Sequence, residues 1–64
     1  MQVSKGDIVS HWDGSVYVVK ARDGQRTIIR PIVECDINVA HLTEMYYINS
    51  SFDETFKVER HAGD

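Results

Sequence analysis

The 64-residue chain has a single cysteine, a single proline and four scattered glycines. A lone Cys35 cannot staple the domain, and a small fold without disulfides points to a reducing, cytoplasmic setting. No apolar run approaches the roughly 18 residues of a membrane-spanning helix, so no membrane role is expected. Met1 to Gly6 contains no cationic segment leading into a long apolar stretch, so no signal peptide is expected. Gly6, Gly14, Gly24 and Gly63 build no glycine-rich phosphate loop. A cationic excess is also missing. Seven Lys and Arg face ten Asp and Glu, a net charge of -3. The protein as a whole is therefore not a phosphate-binding polycation.

What is present reads as a folded domain. The apolar fraction is 42% and the charged fraction 27%, which excludes wholesale disorder. One domain spans 1–64, with an ordered core over about 5–59 and a tail at 61–64. A domain this size buries only about 60% of the surface its unfolded chain exposes. A homodimer would strengthen so small a core, through an edge strand near Pro31 or at Met45-Tyr46-Tyr47-Ile48. Charge divides along the chain. Residues 1–33 sum to +2 and residues 34–64 to -5, which suggests one basic and one acidic surface.

The first half reads as three strands. Ile8 to Trp12 is followed by Asp13-Gly14, a hairpin signal. Ser15 to Ala21 is β-branched and aromatic. Arg22-Asp23-Gly24-Gln25 repeats the turn, and Thr27 to Arg30 begins a third strand that continues toward Ile32-Val33. Pro31 lacks a ladder donor and marks an edge or a bulge. The result is an antiparallel meander. In the second half, Cys35 to Thr43 reads as a connection that includes a short strand at Ile37-Asn38-Val39. Met45 to Ile48 is a fourth strand. Ser51 and Glu54 have capping-box spacing and predict a single helical or 3-10 turn. Thr55 to Glu59 alternates and forms the last strand.

Five short strands with one turn before the last resemble an SH3-like small β-barrel, as does the opening Lys5-Gly6-Asp7-Ile8-Val9. His11 to Val19 is similar to short bacterial and phage barrels of unassigned function. The resemblance implies an all-β, five-stranded antiparallel barrel. The aromatic cluster and acidic first loop of SH3 peptide readers have no counterpart here, so proline-rich recognition does not carry over.

Two registers are open for the second hairpin. A two-residue loop sets Val18 opposite Ile29 and Tyr17 opposite Arg30. A three-residue loop with a bulge sets Val19 opposite Thr27 and Tyr17 opposite Ile29. The second separates charge from core more cleanly. It gathers Tyr17, Val19, Ala21, Thr27 and Ile29 on a core face. Lys20, Arg22, Arg26 and Arg30 then form a basic strip around Val16, Val18 and Ile28. Among the aromatics, about four should be core. Tyr46 and Tyr47 are adjacent, so they point to opposite faces of a strand. Trp12 beside a turn is a candidate interface anchor.

Catalytic constellations are weak. His11, Cys35, His41 and His61 match no paired zinc-ligand spacing. Cys35 with His41 as nucleophile and base has no local support. No cofactor or metal is expected. The expected function is a non-catalytic protein-binding module that acts as a small regulator or inhibitor. The resemblance to phage barrels suggests a phage or mobile-element origin and, as partner, a host nucleic-acid enzyme. The candidate binding residues are Trp12, Lys20, Arg22, Arg26, Arg30, Tyr46 and Tyr47. The alternative is a nucleic-acid-binding barrel that uses the basic strip. A toxin-like ribonuclease relying on His11 and His41 is a distant third.

Overall fold

Alternating apolar residues and two Asp-centred turns give the chain its order of elements. The computed structural model describes residues 1–32 and 44–63. The strands are β1 (Ile8–His11), β2 (Val16–Arg22), β3 (Arg26–Pro31), β4 (Met45–Ile48) and β5 (Phe56–Arg60). One helix, α1 (Asn49–Thr55), lies between β4 and β5. The strands form one antiparallel sheet in the order β4-β3-β2-β1-β5. This is the expected fold class: five antiparallel strands with one short helix before the last. The expected strand at Ile37-Asn38-Val39 lies outside the described residues, as do Cys35 and His41.

Each turn is held by an aspartate. Between β1 and β2, Ser15 N–H donates to Asp13 Oδ1 at 2.8 Å, and Gly14 N–H donates to the His11 carbonyl at 2.8 Å. Gly14 has φ +95°, a conformation that side chains with a Cβ adopt at a cost. Between β2 and β3, Asp23 Oδ1 accepts from both Gln25 N–H and Arg26 N–H, at 2.7 and 2.8 Å. Gly24 does not take a positive φ, and the Asp23 carboxylate satisfies the donors of this turn.

The second hairpin adopts neither anticipated register. Val19 lies opposite Ile29 and Tyr17 opposite Pro31, while Ala21 lies opposite Ile28 and Arg22 opposite Thr27. The shift falls between Val19 and Ala21, which leaves Lys20 as an unpaired bulge residue. One extra residue exchanges the faces of everything after it. Tyr17, Val19, Thr27 and Ile29 keep the expected inner face. Ala21 moves outward, and Arg22 moves inward. Pro31 ends β3 beyond the last β3–β4 pair, Ile29 with Met45, so no β4 partner in the described chain needs its missing donor.

The inner face carries the core of Val9, Val19, Ile29, Phe52 and Phe56, with Val3, Tyr17, Met45, Tyr47 and Val58 packed against it. Phe52 stacks on Phe56 at 4.7 Å between ring centroids. The rings of Tyr17 and Tyr47 meet Phe56 edge-on at 5.6 and 5.1 Å. These four aromatics fill the centre, and Trp12 and Tyr46 stay outside. Burying Phe52 alone contributes on the order of 2–3 kcal/mol.

The helix does not use the Ser51/Glu54 capping box. It begins at Asn49 without a side-chain cap. Asn49 is engaged elsewhere: its Oδ1 accepts from buried Thr27 Oγ1 at 2.7 Å, and its Nδ2 donates to the Asp23 carbonyl at 2.8 Å. Ser51 lies within the helix, where its carbonyl accepts from Thr55 Oγ1.

His61 and Ala62 are anchored rather than frayed. Asp7 is 1% exposed, and its carboxylate accepts from Ser4 N–H, Ala62 N–H and His61 Nδ1–H at 3.0, 2.7 and 3.0 Å. The Ala62 and Ser4 bonds hold Asp7 below the usual carboxylate range, and burial opposes them. Gly6, at φ +93°, lets the backbone pass close to Ala62, and a Cβ at Gly6 would meet Ala62 Cβ at 3.0 Å. Among the described residues, no helix is long and apolar enough to cross a membrane.

Candidate functional site

The outer face of the sheet is built from the residues left over by the core. Pairing aligns them in rows across the strands. One row runs Arg30, Val18, Ile8, Arg60 over β3, β2, β1 and β5. Beside it, Ser10 pairs with Val16 and with Lys57. On the other side, Ile28 pairs with Tyr46 and with Ala21, and Arg26 pairs with Ile48. Ile8, Val18 and Ile28 are half-buried, while Val16, Tyr46 and Ile48 are exposed.

Trp12 stands at one end of this face and is 82% exposed. Its ring lies 4.9 Å from that of His11, which in turn meets Phe56 edge-on at 5.3 Å. His11 thus props an exposed indole on a rigid core aromatic. Trp12, Val16, Ser10 and Lys57 line an open depression of about 750 Å³. Glu59 closes its rim, accepting from Ser10 Oγ and lying 3.6 Å from Lys57 Nζ. The Ser10 hydroxyl and then the Lys57 charge hold Glu59 below the usual carboxylate range. At the other end, Ile48, Arg26 and Gln25 line a second open depression of about 490 Å³.

The anticipated binding residues separate into two groups. Trp12, Arg26, Arg30 and Tyr46 lie on or beside the outer face. Lys20 is in the bulge, and its Nζ pairs with Glu44. Arg22 and Tyr47 belong to the inner side. The Arg22 guanidinium lies 5.7 Å from the Phe52 ring centroid and donates to both Asp53 oxygens, at 3.0 and 3.4 Å. That guanidinium, more than any other group, holds Asp53 below the usual carboxylate range. Tyr47 lies opposite buried Thr27, against Phe52 and Phe56. The bulge at Lys20 and the alternation of β4 account for both placements.

In place of Arg22 the structure brings Lys57 and Arg60 to the outer face. Lys57 was readable from the alternation of Phe56 and Val58. Arg60 was not, because the β1–β5 pairing shifts register between Ile8 and Val9. Among the described residues no ion pair within 4 Å involves Arg26, Arg30 or Arg60.

Among the described residues, His11 and His61 both serve structural contacts. His11 Nδ1 accepts from Asp13 N–H at 3.2 Å, and His61 serves the Asp7 cluster. Among the described residues no group of three or more His, Cys, Asp or Glu could hold a metal ion. No protein-family model, curated protein or solved structure matches the chain.

Proposed function

We propose that the chain is a non-catalytic protein-binding module, a small regulator or inhibitor that engages its partner with the outer face of the sheet. The observation that carries this is a continuous face running from Trp12 to Ile48, with an aliphatic centre and arginines at its margins. Aromatic and arginine side chains are the usual anchors of protein interfaces. The strand order, with a single helix between the last two strands, supports the SH3-like resemblance. The resemblance to short phage barrels extends the proposal to a host nucleic-acid enzyme as target.

The nucleic-acid reading has less support. Two of its four cations, Lys20 and Arg22, are spent on Glu44 and Asp53. Capture from a host lysate tests the proposal. A stoichiometric protein should survive nuclease treatment and be lost with a Trp12→Ala/Tyr46→Ala variant that unfolds at the wild-type temperature. Capture that disappears on nuclease treatment, or that ignores both substitutions, refutes it.

A further inference from the structure

Resting on the outer face as the binding surface, we propose that it reads an extended protein segment with an aliphatic side chain midway between two carboxylates. The argument starts from the row Arg30, Val18, Ile8, Arg60. Its ends are exposed arginines and its middle is two half-buried aliphatic side chains. Neighbouring strands lie about 4.8 Å apart, so the three steps from β3 to β5 span about 14 Å. An extended chain rises about 3.3 Å per residue, so residues i and i+4 lie about 13 Å apart on one face. Residue i+2 falls between them, over Val18 and Ile8. Carboxylates at i and i+4 therefore meet the two guanidinium groups, whose planar forks suit bidentate carboxylate binding.

The chemistry of the row favours this occupant over others. Nucleic-acid strands are held by bases stacking on aromatic rings along the track of the backbone. Here the centre is aliphatic, and Trp12 and Tyr46 lie at opposite ends of the face. A second copy is disfavoured by spacing, because no two acidic residues of this chain lie four positions apart.

The test is fluorescence polarisation with a labelled, end-capped peptide containing Glu-Ser-Leu-Ser-Glu. Wild-type protein should bind it saturably. Binding should weaken about tenfold when both Glu are Gln in the peptide, and about tenfold in Arg30→Gln/Arg60→Gln protein. A peptide with Ser for Leu should also bind more weakly. The double variant's thermal unfolding confirms that it is folded, and the Gln peptide tests the same contact on unaltered protein. Absence of saturable binding overturns the inference, as does binding indifferent to either charge removal. Preferential displacement of the peptide by a single-stranded oligonucleotide overturns it in favour of nucleic acid. Sedimentation showing that dimers exclude the peptide overturns it in favour of a second copy. The two proposals fail separately. A lysate partner lost with Trp12→Ala/Tyr46→Ala but kept by Arg30→Gln/Arg60→Gln leaves the protein-binding function standing and removes this inference. No protein capture at all removes both.

Discussion

Replacing Asp7 with Asn changes one atom of a buried cluster. The carboxylate accepts three hydrogen bonds: Ala62 N–H on Oδ1, and Ser4 N–H with His61 Nδ1–H on Oδ2. An amide offers only one acceptor oxygen. Whichever way it sits, its NH₂ group faces at least one backbone N–H. A buried donor left unpaired costs about 1–3 kcal/mol, and the lost charge weakens the bonds that remain. Asp7→Asn should therefore destabilise by about 2–3 kcal/mol, against a total of roughly 3–10 kcal/mol for a domain of this length. The sign of the pH dependence follows from the lowered pKa of Asp7. Its contribution is complete above the unfolded-state value near 4 and is lost as pH falls through the lower folded-state value. Protonated Asp7 resembles the amide, so wild type and variant should converge. Urea unfolding of both proteins from about pH 7 to about pH 3 measures this difference. A variant as stable as wild type at neutral pH would refute the reasoning. So would a gap that stays constant down to the acid end.

Three further outcomes are expected. Phe52→Ala removes a fully buried ring stacked on Phe56, at a cost of about 3–5 kcal/mol, so its urea midpoint should fall by about a third or more, and an unchanged midpoint would contradict the core position of Phe52. Asn49→Ala leaves buried Thr27 Oγ1 without its acceptor and should cost about 1–3 kcal/mol in urea unfolding; an unchanged midpoint would contradict the role given to Asn49. Trp12→Ala, at an 82% exposed position, should leave stability within about 0.5 kcal/mol while reducing partner capture.

Much of the strand layout was legible because it is encoded locally. Asp13-Gly14 and Asp23-Gly24 mark their turns in the sequence, and β4 matches the apolar stretch Met45 to Ile48. The adjacent tyrosines also announced that one would face outward, although not which. The register of β2 on β3 was not legible. A bulge inserts one residue wherever cross-strand packing demands it, and Lys20 has no local mark of that demand. This single residue decided that Arg22 would cover Phe52 and leave the basic strip. The helix start was hidden for a similar reason. Ser51 has the spacing of a cap, but Asn49 is tied to Thr27 and Asp23 across the sheet. The arginine at the far end of the outer row was invisible because β5 and β1 are distant in sequence and meet through a shifted register. Local chemistry reads turns well, whereas long-range pairing sets faces.

The position of β1 between β2 and β5 has a kinetic consequence. Strands β1 to β3 follow one another through short turns and can pair as soon as each is made. The slot beside β1 stays empty until Phe56 to Arg60 arrive, and the Asp7 cluster closes across 54 residues, from Asp7 to His61. Contacts so distant in sequence form late and slow the final step. During synthesis, the growing chain therefore presents β1 as an open edge until Phe56 to Arg60 leave the ribosome. That edge can accept β5 from another copy as readily as its own. Truncations that remove β5, Phe56 to Arg60, should strand the protein in this half-zipped state, prone to exchange strands between neighbours.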